Sequence, residues 1–290
     1  MKIIAHGATD LGRKRSVNED NYRICPKLKL FLVADGMGGH IAGEIASRLA
    51  VDIVAEAIQH ELAQTENNDY RDLHPGQLLE KTVQLANRKI LETASKRREL
   101  EGMGTTIVAA IIRGRTLHIA SVGDSRVYRI RDKEGQLLTF DHSWVNMQVR
   151  LGNMTVEEAR YHPMRNVITR ALGTQRQVEV DIMAHLIRQN DTILLCTDGL
   201  SNVVQIDEIA QIVTLSGDDI EKATEGLIQL ANDRGGDDNI TAVILKFQSV
   251  DSEEIDDYDL DEETDQDTEI IPKDKLRDRL SQSRFPLWPP

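Results

Sequence analysis

The chain has 290 residues, of which 40% are hydrophobic, so it is long enough for one large domain or two small ones with a filled core. Its formal net charge is −13, but residues 251–290 hold 14 acidic and 5 basic residues, and the other 34 acidic and 30 basic residues nearly balance. This balance argues against a nucleic-acid-binding surface, which needs an excess of basic residues. No apolar run is long enough to span a membrane or to act as a signal peptide, so no membrane attachment is predicted.

The two cysteines predict a reducing compartment. Cys25 and Cys196 lie in or near apolar runs and are too few for a disulfide framework. We therefore expect reduced packing residues and a cytoplasmic protein, with a monomer as the default oligomeric state.

Short runs rich in Val, Ile and Leu and bounded by Gly, Asp or Asn predict six strands, at residues 30–34, 106–112, 116–122, 126–131, 192–196 and 240–247. The short connections at 113–115 and 123–125 predict that residues 105–131 form an antiparallel meander. Helical periodicity predicts helices at 42–62, 76–98, 206–215 and 219–231. Because the helices come in pairs between groups of strands, we expect an α+β fold of antiparallel sheet covered by helices.

Two stretches stand apart from this pattern. Residues 142–173 contain Trp, Tyr, His and Arg and a capping box at Thr155 and Glu158, which predicts a short helix in a lid or small subdomain. Residues 251–269 contain 12 acidic residues and no Lys or Arg, which predicts a disordered tail. Residues 285–290, at its end, are either part of an inert tail or a short docking motif.

Five aspartates follow apolar runs or lie beside Gly and other turn residues: Asp20, Asp35, Asp124, Asp198 and Asp238. Strand ends on one edge of a sheet can converge, so these side chains are candidates for one cluster. Converging carboxylates repel one another unless protons or metal ions compensate them. Oxygen-only clusters select hard divalent cations such as Mg²⁺ or Mn²⁺. Each motif alone fits an ordinary turn, but their recurrence in one chain favours a metal site.

Arg15 lies five residues before Asp20, in the run Arg13-Lys14-Arg15. It is either a surface charge or a phosphate ligand, because a guanidinium group can bind two oxygens at once. A two-metal site with a nearby Arg is typical of a centre that cleaves phosphoesters. In such a centre the metals activate a water and hold it in line for attack on the phosphorus.

Six segments occur in an order that is specific to one family: TDLGRKRSVNED at 9–20, VADGMGG at 33–39, GMGTT at 102–106, VGDSR at 122–126, CTDGL at 196–200 and GGDDNIT at 235–241. Together they resemble the metal-dependent serine/threonine phosphatases of type 2C, in their compact bacterial version. The resemblance implies an α+β fold with two antiparallel β-sheets in a central sandwich flanked by helix pairs, in α-β-β-α layers. It also implies a catalytic domain over residues 1–248, a flap subdomain at about 142–173 beside the active site, and a tail at 249–290 outside the domain.

The resemblance implies two Mn²⁺ or Mg²⁺ ions in a cleft at one end of the sandwich. Asp35 would bridge both ions, and the Gly36 carbonyl would bind the second. Asp198 and Asp238 would complete the first. Asp124, together with Asp198, would hold a third, weaker ion.

The remaining roles follow from the same resemblance. Glu19 and Asp20 would bind metal-coordinated waters, and Arg15 would hold the substrate phosphate. The matches at 102–106 and 125–126 are expected to shape the sheet rather than to do chemistry.

The proton donor to the leaving alkoxide is open. In the animal branch of the family a His follows the Asp-Gly pair and is assigned as general acid, whereas this chain has Met37 there. His40 is the candidate catalytic acid, and His162 in the flap is a candidate for substrate contact. His142 is a further possibility, because a His has a pKa near neutrality, and a metal-bound water could act instead.

The predicted function is hydrolysis of phosphoserine and phosphothreonine on proteins by a metal-activated water, without a phosphoenzyme, in signalling that reverses a serine/threonine kinase. Two alternatives are a catalytically silent regulatory or binding module of the same fold and a phosphohydrolase for small molecules. The sequence offers no Gly-rich helix start for binding a nucleotide base, which argues against the second.

Overall fold

The computed structural model describes residues 1–38, 41–64 and 74–249. Its strands are β1 (Lys2–Asp10), β2 (Asp20–Cys25), β3 (Leu30–Met37), β4 (Gly104–Thr105), β5 (Ile107–Arg113), β6 (Thr116–Val122), β7 (Arg126–Arg131), β8 (Glu134–Leu137), β9 (Asp181–Leu186), β10 (Thr192–Cys196) and β11 (Ile240–Ser249). Its α-helices are α1 (Ile41–Ala63), α2 (Pro75–Lys96), α3 (Trp144–Arg150), α4 (Val156–Tyr161), α5 (Asp198–Ser201), α6 (Ile206–Ser216) and α7 (Ile220–Asp233).

The strands form two antiparallel sheets. The first has the order β1-β11-β10-β7-β8, and the second has the order β2-β3-β5-β6-β9, with β4 paired to β3. Apolar side chains alternate along each strand, and those on the inner faces pack between the sheets, among them Phe31, Val108, Leu195 and Val243. The predicted α+β fold with two antiparallel sheets is confirmed.

Helices cover the outer face of each sheet. Helices α1 and α2 share an apolar cluster with the second sheet, in which Ala46, Ala50 and Val54 of α1 are buried at helical spacing. Helices α6 and α7 share another with the first sheet. Helix α7 begins at Ile220, and the preceding Asp219 caps it by accepting a hydrogen bond from the Lys222 backbone N–H at 3.0 Å.

The predicted meander is wrong at its second connection. Strands β5 and β6 pair as expected, but β7 belongs to the other sheet, where it pairs with β10 and β8. Residues 123–125 therefore carry the chain from one sheet to the other. The turn starts at Gly123, whose φ of +106° suits only glycine, and a Cβ there would lie 2.5 Å from Thr106 Cγ2.

Two N-terminal strands were missed because they lie at the edges of their sheets. Strands β1 and β2 are mostly half-buried and contain His, Thr, Asn and Arg beside their apolar residues. Such strands lack the continuous apolar run that marks β6 and β10, which are buried throughout.

Residues 144–167 form a second compact unit that contains α3 and α4. Helix α4 starts with the predicted capping box, in which Thr155 Oγ1 accepts from the Glu158 backbone N–H at 3.2 Å. Within this unit the rings of Trp144 and His162 stack, with centroids 5.0 Å apart. The predicted flap and domain boundaries stay predictions.

The structure also shows the state of the two cysteines and the character of the helices. Cys25 and Cys196 are free thiols, and Cys196 is buried. In the described part of the chain, no helix has the length and apolar character needed to cross a membrane. The predicted acidic tail and its terminal segment lie outside the described residues.

Candidate metal and phosphate site

Acidic side chains from both sheets meet at one end of the sandwich. Asp20 begins β2 and lies directly opposite Asp35 of β3 in the strand register. Asp198 begins the short helix α5, just after β10, and Asp238 stands two residues before β11. Asp124 lies in the turn that joins β6 to β7 across the two sheets. The sandwich topology therefore gathers the five aspartates that the sequence singled out.

The mutual repulsion of these carboxylates shows how close they are. Burial raises the pKa of Asp35 well above its ordinary value, and the charges of Asp20, Asp198, Asp124 and Asp238 raise it further. Burial likewise raises the pKa of Asp20 to about 7, against the lowering effect of two hydroxyl donors. Without compensating cations, the cluster therefore retains protons at pH values at which ordinary carboxyl groups are ionised.

The pKa values of Asp124 and Asp198 are raised for the same reasons. Burial and the charge of Asp198 raise the pKa of Asp124. Burial and the charge of Asp238 raise the pKa of Asp198, while its interaction with Asp35 and the positive charges of Arg126 and Arg15 lower it in part.

Asp20 ties the two sheets together at this end. Its Oδ2 accepts hydrogen bonds from the hydroxyl groups of Thr197 at 2.8 Å and Thr241 at 2.7 Å. Thr197 precedes Asp198, and Thr241 is the second residue of β11, the strand that follows Asp238. These bonds fix the Asp20 carboxylate on β2 against the ends of β10 and β11 that lie next to Asp198 and Asp238.

Glycines allow the loops of the site to pack backbone against backbone. A side chain at Gly36 would collide with the Gly43 carbonyl in α1, and one at Gly199 would collide with the Asn239 carbonyl. The Asp-Gly pairs are therefore required by the close packing of the loops, as well as by turn chemistry.

Arg15 lies beside the acidic cluster. Its Nη2 is 2.7 Å from Asp238 Oδ2, and its side chain is 48% exposed, so part of the guanidinium faces solvent. The loop around it is held by backbone hydrogen bonds from Arg13 and Lys14 to the Gly236 carbonyl. The segments that carry Arg15 and Asp238 are thus fixed to each other.

The donor set fits hard divalent cations. Among the described aspartates of the cluster, the buried Oδ1 atoms of Asp20, Asp124 and Asp198 have no hydrogen-bond partner. Leaving such atoms unpaired costs about 1–3 kcal/mol each unless a ligand engages them. Across the described residues, no group of three or more His, Cys, Asp or Glu side chains is arranged so that it could hold a metal ion. A full shell would therefore need other oxygens, such as the backbone carbonyl that the resemblance assigns to Gly36.

Comparison with known proteins identifies the family to which the chain belongs. A family model described as Protein phosphatase 2C matches residues 11–241. The chain belongs to the protein phosphatase 2C family. The serine/threonine phosphatase stp of Listeria innocua is 40% identical to it over 241 residues, which cover 82% of this chain and 93% of that protein.

Solved structures agree with this family membership. The serine/threonine phosphatase of S. agalactiae is 36% identical, with a TM-score of 0.77, over 85% of this chain and 100% of that one. The catalytic domain of the phosphatase PstP, solved with two manganese ions, is 34% identical, with a TM-score of 0.72, over 86% of this chain and 99% of that one. The predicted family, fold class and enzyme class, a metal-dependent serine/threonine protein phosphatase, are confirmed.

Sequence reasoning missed three positioning residues of this phosphatase. The Asp35 backbone N–H donates to Thr106 Oγ1 at 2.9 Å, and the Asp35 carbonyl accepts from the Thr106 N–H at 2.9 Å. Thr106 Oγ1 also lies 2.7 Å from Ser125 Oγ, which follows Asp124. Thr106 and Ser125 therefore link the loops of two candidate ligands, although the sequence suggested only that they shape the sheet.

Asn239 is the third. Its side-chain amide donates to the carbonyls of Leu11 at 2.9 Å and Val17 at 3.0 Å, and its Oδ1 accepts from the Glu19 N–H at 2.8 Å. These bonds fasten the loop that carries Arg15 and Glu19 to the strand end beside Asp238. Its place directly after an Asp pair was the only sequence signal.

The candidate histidines are spread over different parts of the chain. His40 lies outside the described residues. His162 lies in the second unit, where its Nδ1 accepts from the Met164 N–H at 3.1 Å, and its role in substrate contact stays a prediction. His142 is buried, and both of its ring nitrogens face protein groups.

Proposed function

We propose that this phosphatase 2C member hydrolyses phosphoserine and phosphothreonine on proteins with two Mn²⁺ or Mg²⁺ ions held by Asp35, Asp198, Asp238 and the Gly36 carbonyl. The observation that carries the proposal is the gathering of five carboxylates at one end of the sandwich, with unpaired buried oxygens, beside an exposed guanidinium. The relative PstP, crystallised with two manganese ions, supports it.

The cations, when bound, supply Lewis-acid chemistry that activates a water and offsets phosphate charge. Asp20 and Glu19 orient water at the rim of the site. The two threonine hydroxyl groups on Asp20 Oδ2 leave its Oδ1 to face the site. Asp124, with Asp198, holds a third and weaker ion.

Arg15 binds two oxygens of the substrate phosphate. Its guanidinium is anchored at one end to Asp238, which leaves its exposed N–H groups to donate to the phosphate. Because the same group contacts Asp238 and would contact the substrate, it would orient the phosphate relative to Asp238.

His40 and a metal-bound water are the two candidate proton donors to the leaving alkoxide. Replacing His40 by Ala distinguishes them. Loss of activity on a phosphoserine peptide with retained activity on p-nitrophenyl phosphate, whose leaving group needs no proton, indicates His40. If His40→Ala changes the activities on the two substrates by the same factor, the water is the proton donor.

The cellular partners follow from the chemistry. A protein that carries phosphoserine or phosphothreonine implies a serine/threonine kinase that places the phosphate there. We propose a cytoplasmic monomer that opposes such a kinase, with His162 in contact with the phosphoprotein. The two free cysteines support a reducing compartment.

The test of this proposal compares two isosteric changes. Asp35→Asn removes a carboxylate of the cluster, whereas Asp52→Asn removes a carboxylate that pairs with Arg23 away from it. With Mn²⁺ and a phosphothreonine peptide, we expect Asp35→Asn to abolish turnover and Asp52→Asn to keep the wild-type rate. A wild-type rate for Asp35→Asn would sink the proposal, and an inactive wild-type protein would favour the silent-module alternative.

A further inference from the structure

His142 clamps the turn that carries Asp124. The Gly123 N–H donates to His142 Nδ1 at 3.0 Å, and the His142 backbone N–H donates to the Gly123 carbonyl at 2.8 Å. One residue therefore satisfies both backbone groups of Gly123. The same turn is closely packed against Thr106, so its conformation has little freedom.

The hydrogen bonds fix the tautomer of the ring. A backbone N–H can only donate, so Nδ1 of His142 carries no proton. The proton of the neutral ring is then on Nε2, which lies 3.0 Å from Asp181 Oδ2. Arg170 Nη1 donates to the other oxygen of Asp181 at 2.8 Å and also lies 2.9 Å from Nε2.

Asp181 is suited to hold the ring in this state. Burial raises its pKa, but the hydrogen bond from His142 and the positive charge of Arg170 outweigh burial and lower the pKa overall. The carboxylate is therefore ionised at neutral pH and acts only as an acceptor. Arg170 is anchored in turn by Glu179, at 2.7 Å.

The clamp also holds both ends of the segment 144–167. The His142 carbonyl accepts from the Thr169 N–H at 2.7 Å, and Ser143 forms a β-bridge with Ile168. The positions where the chain enters and leaves this segment are thereby joined to the turn at Gly123.

We propose that His142, held by Asp181 and Arg170, is a positioning residue that sets the backbone of Gly123 and so aims the buried Asp124 carboxylate at the metal cluster. It is not the proton donor, because neither ring nitrogen faces the reacting groups. This inference rests on the proposed function only for the role of Asp124 as an ion ligand.

Two substitutions of His142 distinguish its hydrogen bond with Gly123 from its hydrogen bond with Asp181. In His142→Asn the amide oxygen replaces Nδ1 and can still accept from the Gly123 N–H. In His142→Gln the amide reaches toward Asp181 but leaves the Gly123 N–H without its acceptor. We expect the Gln variant to need about tenfold more Mn²⁺ for half-maximal activity, and the Asn variant to stay within about threefold of the wild type. His60→Asn, at an exposed position on α1, is the matched control.

A second comparison excludes a proton-transfer role. If His142 only positions Asp124, each variant loses the same factor on a phosphoserine peptide and on p-nitrophenyl phosphate. The double variant His142→Gln/Asp124→Ala should lose no more activity than Asp124→Ala alone, because both changes remove the same contribution of Asp124. Circular dichroism confirms that each variant is folded, and His142→Asn keeps the test available if the Gln variant does not fold.

Equal Mn²⁺ requirements of the Asn and Gln variants, a loss confined to the peptide substrate, or multiplied losses in the double variant would each overturn the inference. These outcomes are distinct from failure of the proposed function, because Asp35→Asn reports on that function without touching the clamp.

Discussion

Buried carboxylates occur in two kinds of environment in this protein. Asp191 is 1% exposed and fully paired: Arg131 binds both of its oxygens, at 2.8 and 2.7 Å, and the Arg188 N–H donates to one of them. At the end of the sandwich, Asp20 and Asp124 are also buried, but each keeps an oxygen without a partner among the described residues. A carboxylate that is paired within the chain therefore stabilises the fold, whereas a carboxylate left unpaired beside others is available to bind a ligand.

The largest effect is expected at Asp198. Replacing it by Asn removes a charge that the proposed cations would require but keeps the shape of the side chain and its bond to Asn202. We expect turnover with Mn²⁺ to fall by more than about 100-fold. Thermal unfolding in the absence of metal should be unchanged or shifted upward, because the substitution relieves repulsion.

The opposite pattern is expected at Asp191. Asp191→Asn leaves the partly buried Arg131 guanidinium without its counter-charge and takes a charge from a buried position, so we expect a loss of about 3 kcal/mol in the free energy of unfolding. Turnover per folded molecule should match the wild type. Urea denaturation measures the first quantity, and a drop in the kcat of fully folded protein would contradict the distinction between the two environments.

Arg15 tests the phosphate side of the site. Arg15→Ala removes the guanidinium next to Asp238, and we expect KM for a phosphopeptide to rise about tenfold. Arg15→Lys keeps the charge but loses the planar fork, and it should restore only part of the affinity. If the Ala variant binds phosphopeptide as well as the wild type does, Arg15 is only a surface charge.

The smallest effect concerns pH and metal together. The folded-state pKa values of Asp20, Asp35, Asp124 and Asp198 are raised, with Asp20 at about 7. Their contribution to the stability of the metal-free protein is therefore present at low pH and is lost as pH rises from about 4 to about 7. Mn²⁺ at one fixed concentration, about 100 times its Kd at pH 7.5, should raise Tm by about 5–10 °C at pH 7.5 and by less at pH 5, where protons compete for the same carboxylates. A Tm shift that is the same at both pH values would contradict this sign.

The sequence marked the residues that the fold brings together in the candidate site better than it predicted the path of the chain. An apolar run followed by Asp and Gly marked Asp35 and Asp198, because strand ends and tight turns have local signatures. The turn at Gly123 has the same signature, but no local signal tells whether the next strand stays in the same sheet. The clamp by His142 and the bonds of Thr106 join residues far apart in sequence, so they became visible only in the fold.

The central claim is that the unpaired carboxylates form a metal site. Its most direct test is calorimetric titration of Mn²⁺ into metal-free protein at pH 7, repeated in two buffers with different ionisation enthalpies. We expect at least two ions to bind per chain. Protons should be released, since the cluster holds protons that cations displace. This binding should be lost in Asp198→Asn. Binding of fewer than two ions, or binding without proton release, would contradict it.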